Sequence, residues 1–340
     1  MSAGSYDAVL IMSFGGPEGM ADILPFLDNV LRGRNVPEER KREVAHHYEA
    51  FGGVSPINAQ NRALKAALEA ELAAHEIDLP VYWGNRNWHP MIADTMAAMT
   101  RDGVKRALVF ATSGFSSYSG CRQYREDIER ARQIAGPDAP VCDKIRMFYN
   151  HPSFIEVTAG NLRAARERLP AELRAEALTL FTAHSIPMSM ASTCAYEAQL
   201  LEASKLVAEM AGIGAWRLVY QSRSGPPGQP WLEPDVCAAL DETAKTGARA
   251  AVLVPIGFLV DHMEVIYDLD HEAKQRADAL GLKIARAATP GTHPLFVSMI
   301  RELIQERLNP ALPKRALGAR GPNHDVCPVD CCPAPMRPAR

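Results

Sequence analysis

The stretch "AAVLVPIGFLVDHMEVIYDLDHE", residues 250–272, decides the fold. Its first half is a continuous apolar run with the length of a buried strand, and its second half crowds aspartate, glutamate and histidine together. Buried elements avoid ionisable groups unless those groups are paired or bind something. The stretch therefore predicts a strand of a parallel sheet that ends at a group of ionisable residues, which is where such sheets form their binding sites.

The same alternation of apolar runs and helical stretches recurs along the chain. It is typical of α/β architecture with parallel strands. The strand candidates are 7–14, 80–85, 106–112 and 144–149 in the first half, and 177–184, 216–222, 249–258 and 282–288 in the second.

This spacing predicts an α/β fold of two similar Rossmann-like domains, each doubly wound around a four-stranded parallel sheet, with a cleft between them. We place the domains at 1–150 and 151–310 and allow for the first helix of the second domain to pack back on the first. Residues 311–340 are rich in proline and cysteine and predict a tail.

Composition and charge exclude several classes of protein. Hydrophobic residues make up 47% and charged residues 23%, as expected for a globular chain, and the net charge of -3 gives no reason to expect a nucleic acid partner. No apolar run approaches the ~20 residues that a transmembrane helix needs. The N-terminus lacks the pattern of a secretory signal. We therefore expect a cytoplasmic enzyme that acts as a monomer.

Three acidic residues repeat every four positions after the last apolar run. In an α-helix, Glu264, Asp268 and Glu272 would form a ladder on one face, because each step of four drifts only ~40° and rises ~6 Å. A cation would offset their repulsion, and wider winding of the π type would align them better. On an ideal helix His262 lies about 160° away from Glu264, whereas His271 shares its face. The alternative is a solvated acidic helix face with His262 in its first turn.

His184 ends another strand candidate, in "TAHSIP" at 182–187. A lone histidine at a strand end is often structural, but its pKa near neutrality also makes it a natural proton acceptor. Oxygen ligands suit a hard or borderline divalent ion that is held loosely. If His184 faces Glu264 across a cleft, the pair can accept protons and guide a cation.

These motifs resemble the ferrochelatases, which insert ferrous iron into a porphyrin. The resemblance covers about residues 7–308. It rests on the ordered motifs "SFGGPE" (13–18), "FGGVSPIN" (51–58), "TAHSIP" (182–187), "YQSRSGPPGQPWLEP" (220–234) and "PIGFLVDHMEVIYDLD" (255–270).

The resemblance implies a role for each candidate residue. His184 and Glu264 match the catalytic pair of the family, and Asp268 and Glu272 continue its iron path on a π-helical segment. Residues matching porphyrin contacts are Ser55, Tyr48, Tyr124, Arg32 or Arg34, and Phe14. Phe14 stands where some bacterial relatives carry a tyrosine that faces the metal. A phenyl ring cannot ligate, so the resemblance leaves His184 as the main protein ligand of the metal near the ring centre.

The resemblance also implies the substrates, ferrous iron and a porphyrin. Coproporphyrin III is the expected porphyrin, with protoporphyrin IX as the alternative, and a carrier of heme or metal without turnover is the alternative from another class. The stretch 20–31 is apolar on much of its circumference, so it is either a core helix or a lip for peripheral contact with a membrane or another heme-pathway enzyme.

The tail sequence "HDVCPVDCCPAP" at 324–335 groups Cys327, Cys331 and Cys332. Some ferrochelatases hold a [2Fe–2S] cluster with three C-terminal cysteines and one from the body of the protein, and four thiolates are what such a cluster needs. Cys121 is the expected fourth ligand and Cys142 the alternative, ahead of the remaining cysteines, Cys194 and Cys237. A zinc site that uses His324, or free thiols, are the other interpretations.

Overall fold

Two four-stranded sheets, all of whose strands are parallel, form the frame of the protein. The computed structural model describes residues 6–33, 36–226 and 228–335. The strands are β1 Ala8–Ser13, β2 Val81–Asn85, β3 Arg106–Ala111, β4 Val141–Lys144, β5 Leu178–His184, β6 Trp216–Gln221, β7 Ala250–Val254 and β8 Lys283–Arg286. The first sheet has the order β2-β1-β3-β4 and the second β6-β5-β7-β8, so both halves share one topology.

Apart from the fourth, the strands lie where the apolar runs of the sequence predict them. β1 and β7 lie at positions covered on both faces, and every residue in them is buried. One prediction was wrong: the fourth strand is Val141–Lys144, not 144–149. Ile145 still donates its N–H to Val109, but the apolar residues beyond it leave the sheet and pack in the core between the halves.

Helices connect the strands and cover the sheets. They are α1 Ile23–Leu31, α2 Glu38–Glu49, α3 Ile57–Ala74, α4 Ile92–Arg101, α5 Gln123–Ala135, α6 Pro152–Glu167, α7 Met188–Ala191, α8 Tyr196–Ala211, α9 Val236–Lys245, α10 Met263–Val265, α11 Ala273–Ala279 and α12 Pro294–Leu308. Two segments are wound as π-helix, Tyr118–Arg122 before α5 and Ile266–Glu272 between α10 and α11. Within the described ranges, no helix combines the length and apolar character needed to cross a bilayer.

One hydrophobic core joins the two halves. Phe154 of α6 packs edge-on against Phe115 and Phe148 of the first half. At the C-terminal end of the chain, α12 returns to pack on α3. There Glu306 of α12 accepts two hydrogen bonds, of 2.7 and 2.8 Å, from the buried guanidinium of Arg146. The halves are therefore held together by shared packing and a buried ion pair.

The sheet order fixes where a site can form. In each half the chain winds in opposite directions from the two central strands, and the crevice at that switch point, at the carboxyl ends, is where such sheets bind ligands. In the second half the central strands are β5 and β7. β5 ends at His184, and the segment after β7 leads to Glu264. The topology therefore brings these two residues to one place.

Candidate functional site

His184 and Glu264 face each other at the switch point of the second sheet. The Nε2 atom of His184 lies 3.6 Å from Oε1 of Glu264. Their side chains remain 32% and 45% exposed, so the pair is open to a molecule that approaches from solvent. The structure thus brings together two residues that are 80 positions apart in the sequence.

The backbone around His184 fixes the orientation of its ring. The Nδ1 atom of His184 hydrogen-bonds to the carbonyl of Ser185, which leaves Nε2 directed at Glu264. The hydroxyl of the buried Tyr196 donates to the carbonyl of His184 at 3.0 Å. A histidine ring held by its other nitrogen presents a defined tautomer, as a proton acceptor requires.

Charge shifts the pKa of both members of the pair. Burial disfavours the imidazolium of His184, but the carboxylate of Glu264 outweighs burial and raises the pKa of His184 to about 9. Burial also disfavours the carboxylate, but His184 and then His262 stabilise it and hold the pKa of Glu264 at about 2. At neutral pH and without substrate, the pair is therefore an imidazolium beside a carboxylate.

His262 contacts Glu264 although the helical-wheel argument placed it on another face. That argument assumed that His262 is helical, whereas it precedes the helix in an extended conformation and caps it. Its Nδ1 accepts the N–H of Glu264 at 3.2 Å and lies 3.9 Å from Oε2 of Glu264. The expected separation of His262 from Glu264 was therefore wrong.

The acidic ladder continues from Glu264 along the π-helical segment. Asp268 accepts hydrogen bonds from the Ser222 hydroxyl and, at 3.3 Å, from Nε2 of Gln221. The same Gln221 nitrogen donates to the backbone carbonyl of Glu264 at 2.7 Å and so links two rungs of the ladder. Burial raises the pKa of Asp268 to about 7. The Ser222 hydrogen bond opposes this rise, and the charges of the neighbouring carboxylates add to it. Burial followed by the charge of Asp235 raises the pKa of Glu272.

The first half of the chain closes the other side of the ladder. His47 of α2 stacks on Tyr267 of the π-helical segment with a ring separation of 3.7 Å. Gln60 of α3 accepts the backbone N–H of Asp261 at 2.8 Å. Tyr48 is buried against Phe26, and the charges of Glu264 and Asp268 add to the burial that raises its pKa. Tyr48 is therefore a neighbour of the ladder.

The other candidate porphyrin contacts lie in the first half. Phe14 is 38% exposed and packs edge-on against Phe26, while Ser55 is buried beside the loop after β1. Tyr124 is buried beneath the guanidinium of Arg86, 4.6 Å from the ring centre. Arg32 is exposed and hydrogen-bonded to Asn29, and Arg34 lies outside the described residues. The contact of each residue with substrate stays a prediction.

Several residues of the site were missed by the sequence analysis. Gln221 and Ser222 hold the ladder, Tyr196 holds His184, and Arg86 covers Tyr124. Gln221 is the last residue of β6 and Ser222 follows it, and both stand in the quoted motif at 220–234, so a systematic reading of strand ends would have found them. Arg286 pairs with Asp261, which precedes the ladder, and with Asp270, which lies within its π-helical segment, and it carried no such signal.

The tail cysteines lie beside Cys121, as expected. We call Cys121, Cys327, Cys331 and Cys332 the thiol site. Cys121 lies close enough to Cys327 for the two thiols to shift each other's pKa, and the Sγ atoms of Cys331 and Cys332 are 3.7 Å apart. The interaction with Cys121, supported by His324, lowers the pKa of Cys327 although burial opposes this. Arg122 anchors the tail by donating to the carbonyl of Val329 at 2.9 Å.

The remaining cysteines have different surroundings. Cys194 lies near enough to Cys331 and Cys332 for their charges to affect one another. Cys142 is directed at the carbonyl of Pro140, and Cys237 lies beside Asp235. The geometry therefore favours Cys121 over Cys142 as the companion of the tail cysteines.

Comparison with known proteins identifies the family. The family model described as "Ferrochelatase" matches residues 6–308. The chain belongs to the ferrochelatase family. A ferrochelatase of Rhodopirellula baltica is 57% identical to it, over 98% of this chain and 95% of the relative. A coproporphyrin III ferrochelatase of Nocardia farcinica is 51% identical over 98% of both chains, and one of Streptomyces griseus is 49% identical over 97% and 94%.

Solved structures confirm the fold of this ferrochelatase family member. SirB from Bacillus subtilis with Fe3+ superposes with a TM-score of 0.57 at 11% identity, over 90% of this chain and 96% of that one. CbiX, the terminal enzyme of siroheme biosynthesis in denitrifying bacteria, gives a TM-score of 0.51 at 14% identity, over 90% and 100%. At these identities the likeness confirms the predicted architecture of two Rossmann-type halves and nothing further.

Proposed function

We propose that this protein is a ferrochelatase that inserts Fe2+ into coproporphyrin III to give coproheme, with release of two pyrrole protons. The observation that carries the proposal is the open pair of His184 and Glu264, 3.6 Å apart at the first rung of an acidic ladder. Relatives about 50% identical over nearly the whole chain are named coproporphyrin III ferrochelatases, which supports this porphyrin over protoporphyrin IX.

The charges of the pair suggest an order of events. With Glu264 as its partner, His184 is protonated at neutral pH and cannot accept a pyrrole proton. When the substrate Fe2+ approaches, its charge draws the Glu264 carboxylate away from the imidazolium, and burial then favours the neutral ring, whose proton leaves to solvent. His184 becomes a base only when iron has arrived. Its Nε2 accepts the two displaced pyrrole protons one at a time and passes the first to solvent before it accepts the second.

The ladder supplies the path for the iron. Fe2+ must exchange its water for protein oxygens, and carboxylates suit such a cation. We propose that Glu272 and Asp268 receive the hydrated ion and pass it to Glu264. Because the pKa of Asp268 is about 7, its carboxyl group exchanges a proton for the cation near neutral pH.

The porphyrin contacts are proposed from the family resemblance and the residues near the pair. Phe14 and Tyr48 would lie against the macrocycle, and Ser55, Tyr124 and the arginines at 32 and 34 would serve its carboxylates, since guanidinium binds carboxylates in a bidentate fashion. Met20 and Leu24 are half exposed or more, while Ile23, Phe26 and Leu27 of α1 are buried. We propose that this exposed edge is a lip of the porphyrin cleft that also allows peripheral contact with a membrane or a heme-pathway enzyme.

The test is anaerobic metallation of each porphyrin. Purified protein receives Fe2+ with coproporphyrin III or protoporphyrin IX, and the free-base spectrum is followed. We expect rapid conversion of coproporphyrin III, lost in His184→Ala and kept in the matched control His75→Ala, an exposed histidine at the end of α3. Binding of both porphyrins without metallation would instead indicate a carrier, and preferential conversion of protoporphyrin IX would reassign the substrate.

We also propose that the thiol site holds a [2Fe–2S] cluster. Its four thiol groups come from two distant parts of the chain and lie close together. When bound, such a cluster supplies a one-electron redox centre. Anaerobic reconstitution with iron and sulfide should give visible charge-transfer absorption and two acid-labile sulfides per chain. The proposal fails if neither appears.

The remaining expectations complete the proposal. The division into domains at 1–150 and 151–310 follows the two sheets and the start of α6 at Pro152, with the tail at 311–340 as the carrier of the thiol site. We propose that the enzyme acts as a monomer in the cytoplasm, on a porphyrin and ferrous iron and without a nucleic acid partner.

A further inference from the structure

Ser222 holds a backbone conformation that residues with a side chain rarely adopt. Its φ is 59°, and within the described residues it shares a positive φ with two other non-glycine residues, Glu76 and Cys332. A glycine would adopt this conformation without steric cost, whereas the Cβ atom of serine makes it unfavourable. Such a conformation persists only where the surrounding structure maintains it, and these conformations cluster at functional sites.

The turn at Ser222 brings two successive side chains to one atom. Gln221 is the last residue of β6, and successive side chains of a strand point to opposite faces of the sheet. An extended backbone at Ser222 would therefore direct its side chain away from that of Gln221. Instead both side chains donate to Oδ2 of Asp268, Ser222 through its hydroxyl and Gln221 through Nε2 at 3.3 Å. The left-handed backbone places the hydroxyl where an extended strand would not.

These contacts leave one oxygen of Asp268 available to a ligand. Both hydrogen bonds fall on Oδ2, and among the residues that the structure describes none donates to Oδ1. A carboxylate that is held by one oxygen keeps a fixed orientation and can still offer its other oxygen to a cation. Gln221 is 1% exposed and also donates to the Glu264 carbonyl, so its position follows from the fold. The Ser222 hydroxyl adds the second constraint on Asp268.

We propose that Ser222 is a positioning residue for iron, whose left-handed backbone lets its hydroxyl hold Asp268 with Oδ1 free for Fe2+. The inference rests on the proposed function. Because Ser222 acts through Asp268 and not on the reacting atoms, it should affect the delivery of iron and not the proton transfer at His184. Glycine at this position would relieve the backbone but lose the hydroxyl. Relief of the backbone and loss of iron affinity should therefore appear in the same variant.

The test combines steady-state metallation with thermal unfolding of full-length Ser222→Gly, Ser222→Ala and Ser222→Thr. Both variants without a hydroxyl should raise the KM for Fe2+ by ~10–100-fold, with kcat at saturating iron and the KM for the porphyrin unchanged. Ser222→Gly should melt at a higher temperature than Ser222→Ala, because only glycine relieves the backbone. Ser222→Thr keeps the hydroxyl, so its KM for Fe2+ should stay near that of the wild type although β-branching lowers its melting temperature.

Glu76 provides a matched control for the backbone. Its φ is 55°, and it is exposed two residues beyond α3. Glu76→Gly should likewise melt at a higher temperature than Glu76→Ala, but with no change in either KM. A second control uses Asp268→Ala as the background. If Ser222 acts through Asp268, adding Ser222→Gly to that variant should not raise the KM for Fe2+ any further.

Three outcomes would overturn the positioning role of Ser222. They are an unchanged KM for Fe2+ in Ser222→Gly, a further rise of that KM in the Asp268→Ala background, and a Ser222→Ala variant that melts above Ser222→Gly. A wild type that binds porphyrin without metallation would refute the proposed function and this inference with it. An active wild type with an unchanged KM in Ser222→Gly would remove the inference alone.

Discussion

Replacing Glu264 by glutamine is expected to release His184 from its raised pKa. Burial lowers that pKa, so the carboxylate is the main reason that it stands at about 9. Without the carboxylate, the pKa should fall by about 2.5, to the ordinary value near 6.5 or below it. At pH 7.5 the neutral fraction of His184 would then rise from roughly 3% to roughly 90%.

The assay is an NMR titration of the histidine rings between pH 5 and 10. His184→Ala assigns the resonance among the 10 histidines of the chain. The matched control is Glu272→Gln, which removes a carboxylate of the same ladder that does not act directly on His184. In the control the His184 midpoint should remain near 9.

Metallation provides the second readout. Although Glu264→Gln makes the base available, it also removes the charged carboxylate that we propose receives iron, so turnover should fall strongly at every pH. In the wild type, proton release should accompany iron binding, because iron displaces the imidazolium from Glu264. A His184 midpoint that stays near 9 in Glu264→Gln would refute the ion pair as the cause and, with it, the proposed order of iron before base.

Three further predictions concern the ladder, the core and the support of His184. The pKa of Asp268 is raised to about 7, so its charge is lost as pH falls through 7, and the KM for Fe2+ should increase below that pH. In Asp268→Asn the KM should be high and nearly independent of pH, as steady-state kinetics would show. Glu306→Gln leaves the charge of buried Arg146 unpaired and should lower the free energy of unfolding by ~3–5 kcal/mol in denaturant titrations. Tyr196→Phe removes the hydrogen bond to the His184 carbonyl and should cost about 1 kcal/mol of stability. It should lower kcat more than porphyrin affinity, and an equal effect on both would contradict a positioning role.

The strands and the meeting of His184 with Glu264 were predictable because one physical cause dominates each of them. A strand covered on both faces must be apolar throughout, so β1 and β7 stand out in the sequence. A parallel sheet also aligns the carboxyl ends of its strands, which led from the strand ends to His184 and Glu264. The four-residue spacing of the acidic side chains favoured π-type helical winding, and Ile266–Glu272 forms a π-helix in the structure.

The rest depended on contacts between distant segments. The apolar run at 144–149 looks like a strand, but it packs between the halves, and sequence alone does not say which surface an apolar run covers. His262 was misplaced because the angle on a helical wheel applies only to residues inside the helix. Arg86 acts through a partner more than 35 positions away, which no local pattern encodes.

The two halves share a topology but present unlike residues at equivalent strand ends. β1 leads into Phe14, which lies among aromatic rings, whereas β5 ends at His184 opposite Glu264. Under the proposed function, a planar macrocycle between the halves would meet an apolar wall on one face and ionisable groups on the other. A phenyl ring neither ligates iron nor accepts a proton. Iron would therefore enter, and protons leave, on the His184 face, which explains how one carboxylate can control both the metal and the base.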